Sequence, residues 1–227
     1  MTVALTLLAV LAVATAIWLA GTVLVAMLMR VAVKTIAFGV GPTLATLPLS
    51  GGRSFELRAV PVVSNVTFVT RAEAQPDQRL FADLGRFKKF VLALSGCAAC
   101  LLVAALFLGP EAAVRAAAAS WTDVFRAVTH ARDVDAQWGP IVEAARTLGI
   151  VELLGLAAAK VGGFNLLPLA GLSGWSALTT LLAARDGSSA PIVETFGKFT
   201  LIVLFGLLIL WAVSGVEYVA RVSGMVA

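Results

Sequence analysis

The sequence predicts an all-α integral membrane protein with four transmembrane spans, the third broken, and a small β element beside the membrane. Three observations predict it. Hydrophobic residues make up 60% of the 227 and charged ones 13%, with a mean hydropathy of +0.97, a balance outside the range of soluble domains. Several apolar stretches reach the roughly 20 residues that a helix needs to cross the hydrocarbon core. One of them, residues 147–183, is interrupted by Asn165-x-x-Pro168 and by Gly171 and Gly174. Such a break gives up backbone hydrogen bonds inside the membrane, which is tolerated only against protein or a water-filled cavity.

Span one, about 3–29, carries no charge at all. It has no basic residue before Arg30 and no convincing small-residue cleavage site, so it reads as an uncleaved helix rather than a signal peptide. Loop 30–89 follows. Its segment Ser54–Thr70 is rich in β-branched and aromatic residues, with Pro61 near the middle, and reads as one or two short strands with Pro61 at an edge or turn. Span two covers about 90–109. Loop 110–146 starts with an alanine-rich helix former and continues as a mixed-charge amphipathic segment, too short for an inserted domain. Span three is 147–183, two helical halves either side of 165–168, and span four is about 199–219. The whole chain, 1–227, forms a single membrane domain.

Orientation follows from basic residues in the short loops. Loop 30–89 holds nine: Arg30, Lys34, Arg53, Arg58, Arg71, Arg79, Arg86, Lys88 and Lys89. Loop 110–146 holds four: Arg115, Arg126, Arg132 and Arg146. The bias places loop 30–89 in the cytoplasm, both termini outside, and the chain in a bacterial-type inner membrane. The net charge of +4 is then a topology and lipid signal. No basic cluster carries the interleaved aromatics of base stacking, and no nucleic-acid partner is expected.

Few residues carry chemistry. Lys160 and Glu152 are the only ionisable groups in 147–183. Eight residues apart, they fall on nearly the same helix face and form a candidate intramembrane polar pair. Lys160 fits three roles: holding Asn165 and Ser173, snorkelling to an interface, or pairing with a partner's acid. Cys97-x-x-Cys100 has redox or metal-like spacing. Inside an apolar helix, two small packing residues is the simpler reading. Trp121 and Trp138 suit an interfacial belt, and Gly96, Gly155, Gly162 and Gly163 suit close helix packing.

In order along the chain, four segments carry a family resemblance. They are Ile36-Ala-Phe-Gly-Val-Gly-Pro42, Phe55-Glu-Leu-Arg-Ala-Val-Pro61, Lys89-Phe-Val-Leu-Ala-Leu-Ser-Gly96 and Phe164-Asn-Leu-Leu-Pro168. Together they resemble the site-2 protease family (M50) of intramembrane zinc metalloproteases, over about residues 5–225. The resemblance implies a three-helix core from the first, second and broken third spans, and a membrane-associated β-hairpin that pairs with extended substrate. It also implies zinc held by His-Glu-x-x-His on the first helix and by an Asp after the Asn-x-x-Pro turn.

Those ligands are missing. The positions that match the first motif read Trp18-Leu19-Ala20-Gly21-Thr22, and the Asp-Gly position reads Ser173-Gly174. A catalytic zinc needs three protein ligands from His, Cys, Asp or Glu. Residues 1–29 supply none, and the one histidine, His130, falls in the other loop. Trp18, Leu19, Thr22, Asn165, Pro168 and Ser173 are therefore read as vestigial site positions, with no catalytic residue, metal or cofactor. The expected function is that of a pseudoprotease, a structural or regulatory subunit in a hetero-oligomeric assembly with other membrane protein subunits in the lipid bilayer. It would bind a partner's transmembrane helix or strand, with Val60, Pro61, Val62, Val66 and Phe68 as the candidate binding strand. Two alternatives stand beside it: a metalloprotease with atypical or partner-supplied ligands, and a transporter or channel component.

Overall fold

A computed structural model of the chain describes residues 3–76, 78–129, 133–182 and 191–222. It is mostly helical with one small antiparallel sheet. Helix α1 (Val3–Leu28) is followed by strands β1 (Val33–Leu49) and β2 (Arg53–Phe68). Then come α2 (Arg86–Leu108), α3 (Pro110–Thr129), α4 (Val134–Thr147), α5 (Ile150–Asn165), α6 (Ser173–Leu182) and α7 (Pro191–Val222).

Among the described residues, three helices are long and apolar enough to cross a membrane: α1, α2 and residues 193–218 of α7. The first two match the expected spans. Helix α7 begins earlier than residue 199. Pro191 is suited to a first helical position, and a Glu194–Lys198 ion pair one turn apart supports the added turn. The expected third span is two pieces, α5 of 16 residues and α6 of 10 residues, neither long enough alone.

The β element is larger than the sequence suggested. Residues 33–49, crossed by Gly39, Gly41, Pro42 and Pro48, do not read as a strand, yet they form β1. The reason lies in how the hairpin doubles over. Residues 35–38 partner Thr67–Ser64 on one side and Ser54–Leu57 on the other, so the first half of β1 is flanked by both halves of β2. Gly39 and Gly41, at φ of +100° and +95°, permit the fold-over. A Cβ at Gly39 would lie 2.9 Å from the Val60 carbonyl oxygen. Beyond the bend, Thr43–Leu49 pairs only with Arg53–Arg58 and forms an exposed outer strip.

The base of the sheet closes a core with the ends of α1 and α2. Val31, Val33, Leu84, Leu92 and Ala26 are buried there, with Ile36, Val66 and Phe68 packed on them and Phe68 stacked on Phe81 at 5.0 Å. Nearby, Lys34 hydrogen-bonds Glu73 and holds its carboxyl below the usual range.

The described parts of 110–146 are helical, as α3 and α4. Gly109, with φ of +83°, turns the chain through Pro110 into α3, which doubles back along α2 and α5. Ala113 and Ala117 are buried in that contact. Its alanine-rich face can approach closely because small side chains let helix backbones come together. Helix α4 lies against α7, where Trp138 packs on Trp211 at 4.6 Å and its Nε1–H donates to the Ser214 hydroxyl at 3.1 Å.

Candidate functional site

Three of the positions read as vestigial, Trp18, Thr22 and Ser173, are brought from α1 and α6 onto one stretch of α2. Trp18 and Thr22 lie one turn apart on a single face of α1, and both press on Gly96 of α2. A Cβ there would sit 2.6 Å from Trp18 Nε1 and from Thr22 Oγ1. The next residue, Cys97, is 1% exposed and its side chain reaches both the Ser173 hydroxyl of α6 and the Trp18 indole. Thr22 Oγ1 donates to the Trp18 carbonyl at 3.1 Å. Leu19, Thr22 and Ser173 are all buried.

Gly21 permits this approach. A Cβ on it would meet the Ala99 Cβ at 2.4 Å, so α1 and α2 touch almost backbone to backbone. Gly174 does the same for α6, since a Cβ there would lie 2.1 Å from the Leu166 carbonyl oxygen in the Asn-x-x-Pro turn. The turn is thus folded onto the first residues of α6, and this places Ser173 against Cys97.

Asn165 serves its own helix, its Nδ2 donating to the Val161 carbonyl at 2.9 Å. Pro168 is exposed. At the break the Gly163 carbonyl accepts from the Leu166 backbone N–H at 3.2 Å, and α3 adds a second donor: Trp121 Nε1–H reaches the same oxygen at 2.8 Å. Gly163 has no room for a side chain, because Ala117 O would lie 2.3 Å from its Cβ. Trp121→Phe should lower thermal stability by about 1 kcal/mol, the net contribution of one such hydrogen bond; an unchanged unfolding midpoint in detergent would count against this.

Glu152 and Lys160 do not pair with each other. Glu152 Oε2 accepts from the Gly149 backbone N–H at 3.1 Å and caps the start of α5. Lys160 Nζ instead meets Asp123 of α3 at 2.5 Å. Asp123 is missed when 110–146 is read as a loop outside the membrane. Its one sequence signal is an acid placed just after an alanine-rich helical run, complementary to an otherwise unmatched lysine.

The proposed binding strand divides. Val66 and Phe68 face the core cluster and are not free for a partner, because the register turns their side of β2 toward α1 and α2. Val60 is exposed and pairs with Val40. Pro61 is half-buried beside the bend, and Val62 lies in β2.

The site does not fit zinc. Cys97 is the one side chain there of a type that binds the metal strongly. The indole Nε1–H of Trp18 is a donor with no lone pair to offer a cation, and it is buried without a hydrogen-bond partner. Among the described residues, no three His, Cys, Asp or Glu side chains come together as a metal ion would require. His130 lies outside the described residues. Trp18 packs against Gly96 between α1 and α2. Trp18→Ala should leave a void between α1 and α2 and cost about 3 kcal/mol or more, read as a lowered unfolding midpoint.

Around these positions stand apolar helices long enough to cross a membrane, a doubled hairpin after the first of them and a broken helix packed against α1 and α2. The sequence matches the model of peptidase family M50 over residues 7–210, and the chain belongs to that family. No curated protein gives a significant match.

Proposed function

We propose that the chain is a catalytically inactive member of family M50 that acts as a structural or regulatory subunit of a membrane assembly. The observation that supports this most directly is that Trp18 and Thr22 press on Gly96 while Ser173 comes up to the adjoining Cys97. The approach of three helices expected of an M50 core is kept, while a donor-only indole and two hydroxyls stand where ligands would be needed. In this reading α5 and α6 together make the third of four spans, loop 30–89 is cytoplasmic, and both termini are outside, in a bacterial-type inner membrane.

The partner-binding element in this reading is the outer strip of β1, Thr43–Leu49. Its backbone has an open edge, and Leu44, Leu47 and Leu49 are exposed along it. An extended apolar segment of another membrane subunit can add there as a strand. Purification in mild detergent, with zinc analysis and identification of bound subunits on one sample, tests both parts. Metal-free protein with a subunit that cross-links through Leu47 is the expected result. Stoichiometric zinc together with cleavage of a helical peptide would overturn it.

A further inference from the structure

We infer that α3 lines a water-filled inlet that reaches the Lys160–Asp123 pair at the middle of the helix bundle. The depth follows from three close contacts. Gly155 of α5 abuts Phe107 and Leu108 at the end of α2, and Gly162 abuts Cys97 and Cys100. Cys97 is the central residue of α2, about 16 Å from either end at 1.5 Å per residue. Gly163 in turn abuts Ala117 and Ser120 of α3. By residues 117–120, therefore, α3 has come back from the Leu108 end of α2 to its midpoint. Lys160 and Asp123 each lie within one turn of that level.

At that depth the pair is not enclosed. The side chains of Lys160 and Asp123 remain 34% and 47% exposed. Charges left facing hydrocarbon are costly, and such groups turn toward a bundle interior or a water-filled cavity. The rest of the outward stripe of α3 agrees. Glu111 and Arg115 form a largely exposed ion pair one turn apart, and Thr122 is exposed further along the same face. Between this level and the Leu108 end, the uncovered surface of α2 is apolar, as at Leu102 and Leu106, and so is Val114 of α3 beside the stripe. Both ion pairs are neutralised within the chain, so neither leaves a charge for a partner helix to balance. Water satisfies the stripe.

Cysteine labelling in proteoliposomes tests this. The wild-type protein is the blank, because Cys97 and Cys100 are buried. A charged, membrane-impermeant methanethiosulfonate should modify Thr122→Cys on the order of tenfold or more faster than Leu102→Cys, since the reaction requires a hydrated thiolate. Ala118→Cys, exposed one turn earlier, gives the same comparison if Thr122→Cys does not fold. Equal, slow labelling of the α3 and α2 positions, with full labelling after denaturation, would show lipid or protein covering the stripe and overturn the inference.

Discussion

Gly174→Ala is expected to destabilise the protein by about 3 kcal/mol, the upper end of the usual overpacking penalty, or to prevent folding altogether. The added methyl would need space that the Leu166 carbonyl oxygen and carbon occupy, at 2.1 and 2.5 Å, with the Leu167 carbonyl oxygen also at 2.5 Å. All three are backbone atoms of the turn, and none can swing away like a side chain. Relief requires the turn to lift off α6, which would carry Ser173 away from Cys97. The measurement is the unfolding midpoint in detergent, with the yield of monodisperse protein as a second readout. A variant as stable as wild type would mean that the turn is not seated on α6.

Lys160→Met should cost about 2 kcal/mol. Removing one member of a buried ion pair typically costs about 3–5 kcal/mol, and partial exposure of this pair reduces the figure. The loss comes chiefly from Asp123, left charged beside an apolar side chain. Lys160→Met/Asp123→Leu should therefore recover part of the stability, and a double-mutant cycle isolates the coupling. If Lys160→Met alone changes nothing, the pair does not hold α3 to α5. Recovery in the double variant would separate lost pairing from lost packing of the lysine stem.

These two residues also show where sequence reading stops. The Asn165-x-x-Pro168 break and Gly174 were legible because glycine and proline act on local backbone. The helix that covers the break was not. Nothing within the span 147–183 names Asp123, and a segment with Glu111, Arg115 and Arg126 reads as solvent-facing when hydropathy alone is considered. The hairpin was half legible for a similar reason. Ser54–Thr70 has strand composition, whereas Val33–Leu49 is punctuated by glycines and prolines. In a flat strand these would be interruptions; here Gly39 and Gly41 are the bend that lets one strand lie between two others.

The lack of a ligand set was a matter of residue identity. With no His, Cys, Asp or Glu in the first span, no packing arrangement can create one there. The membrane class likewise followed from composition, and the family resemblance from four short segments whose order and spacing survive in the chain. Only the tertiary structure decided that Trp18, Thr22 and Ser173 gather at Gly96 and Cys97, that Lys160 pairs with Asp123, and that Val66 and Phe68 belong to the core. Residue type and local pattern record what a side chain can do and how the nearby backbone bends. Which distant helices approach closely depends on glycine contacts and packing summed over the whole bundle, and no single stretch of sequence contains that sum.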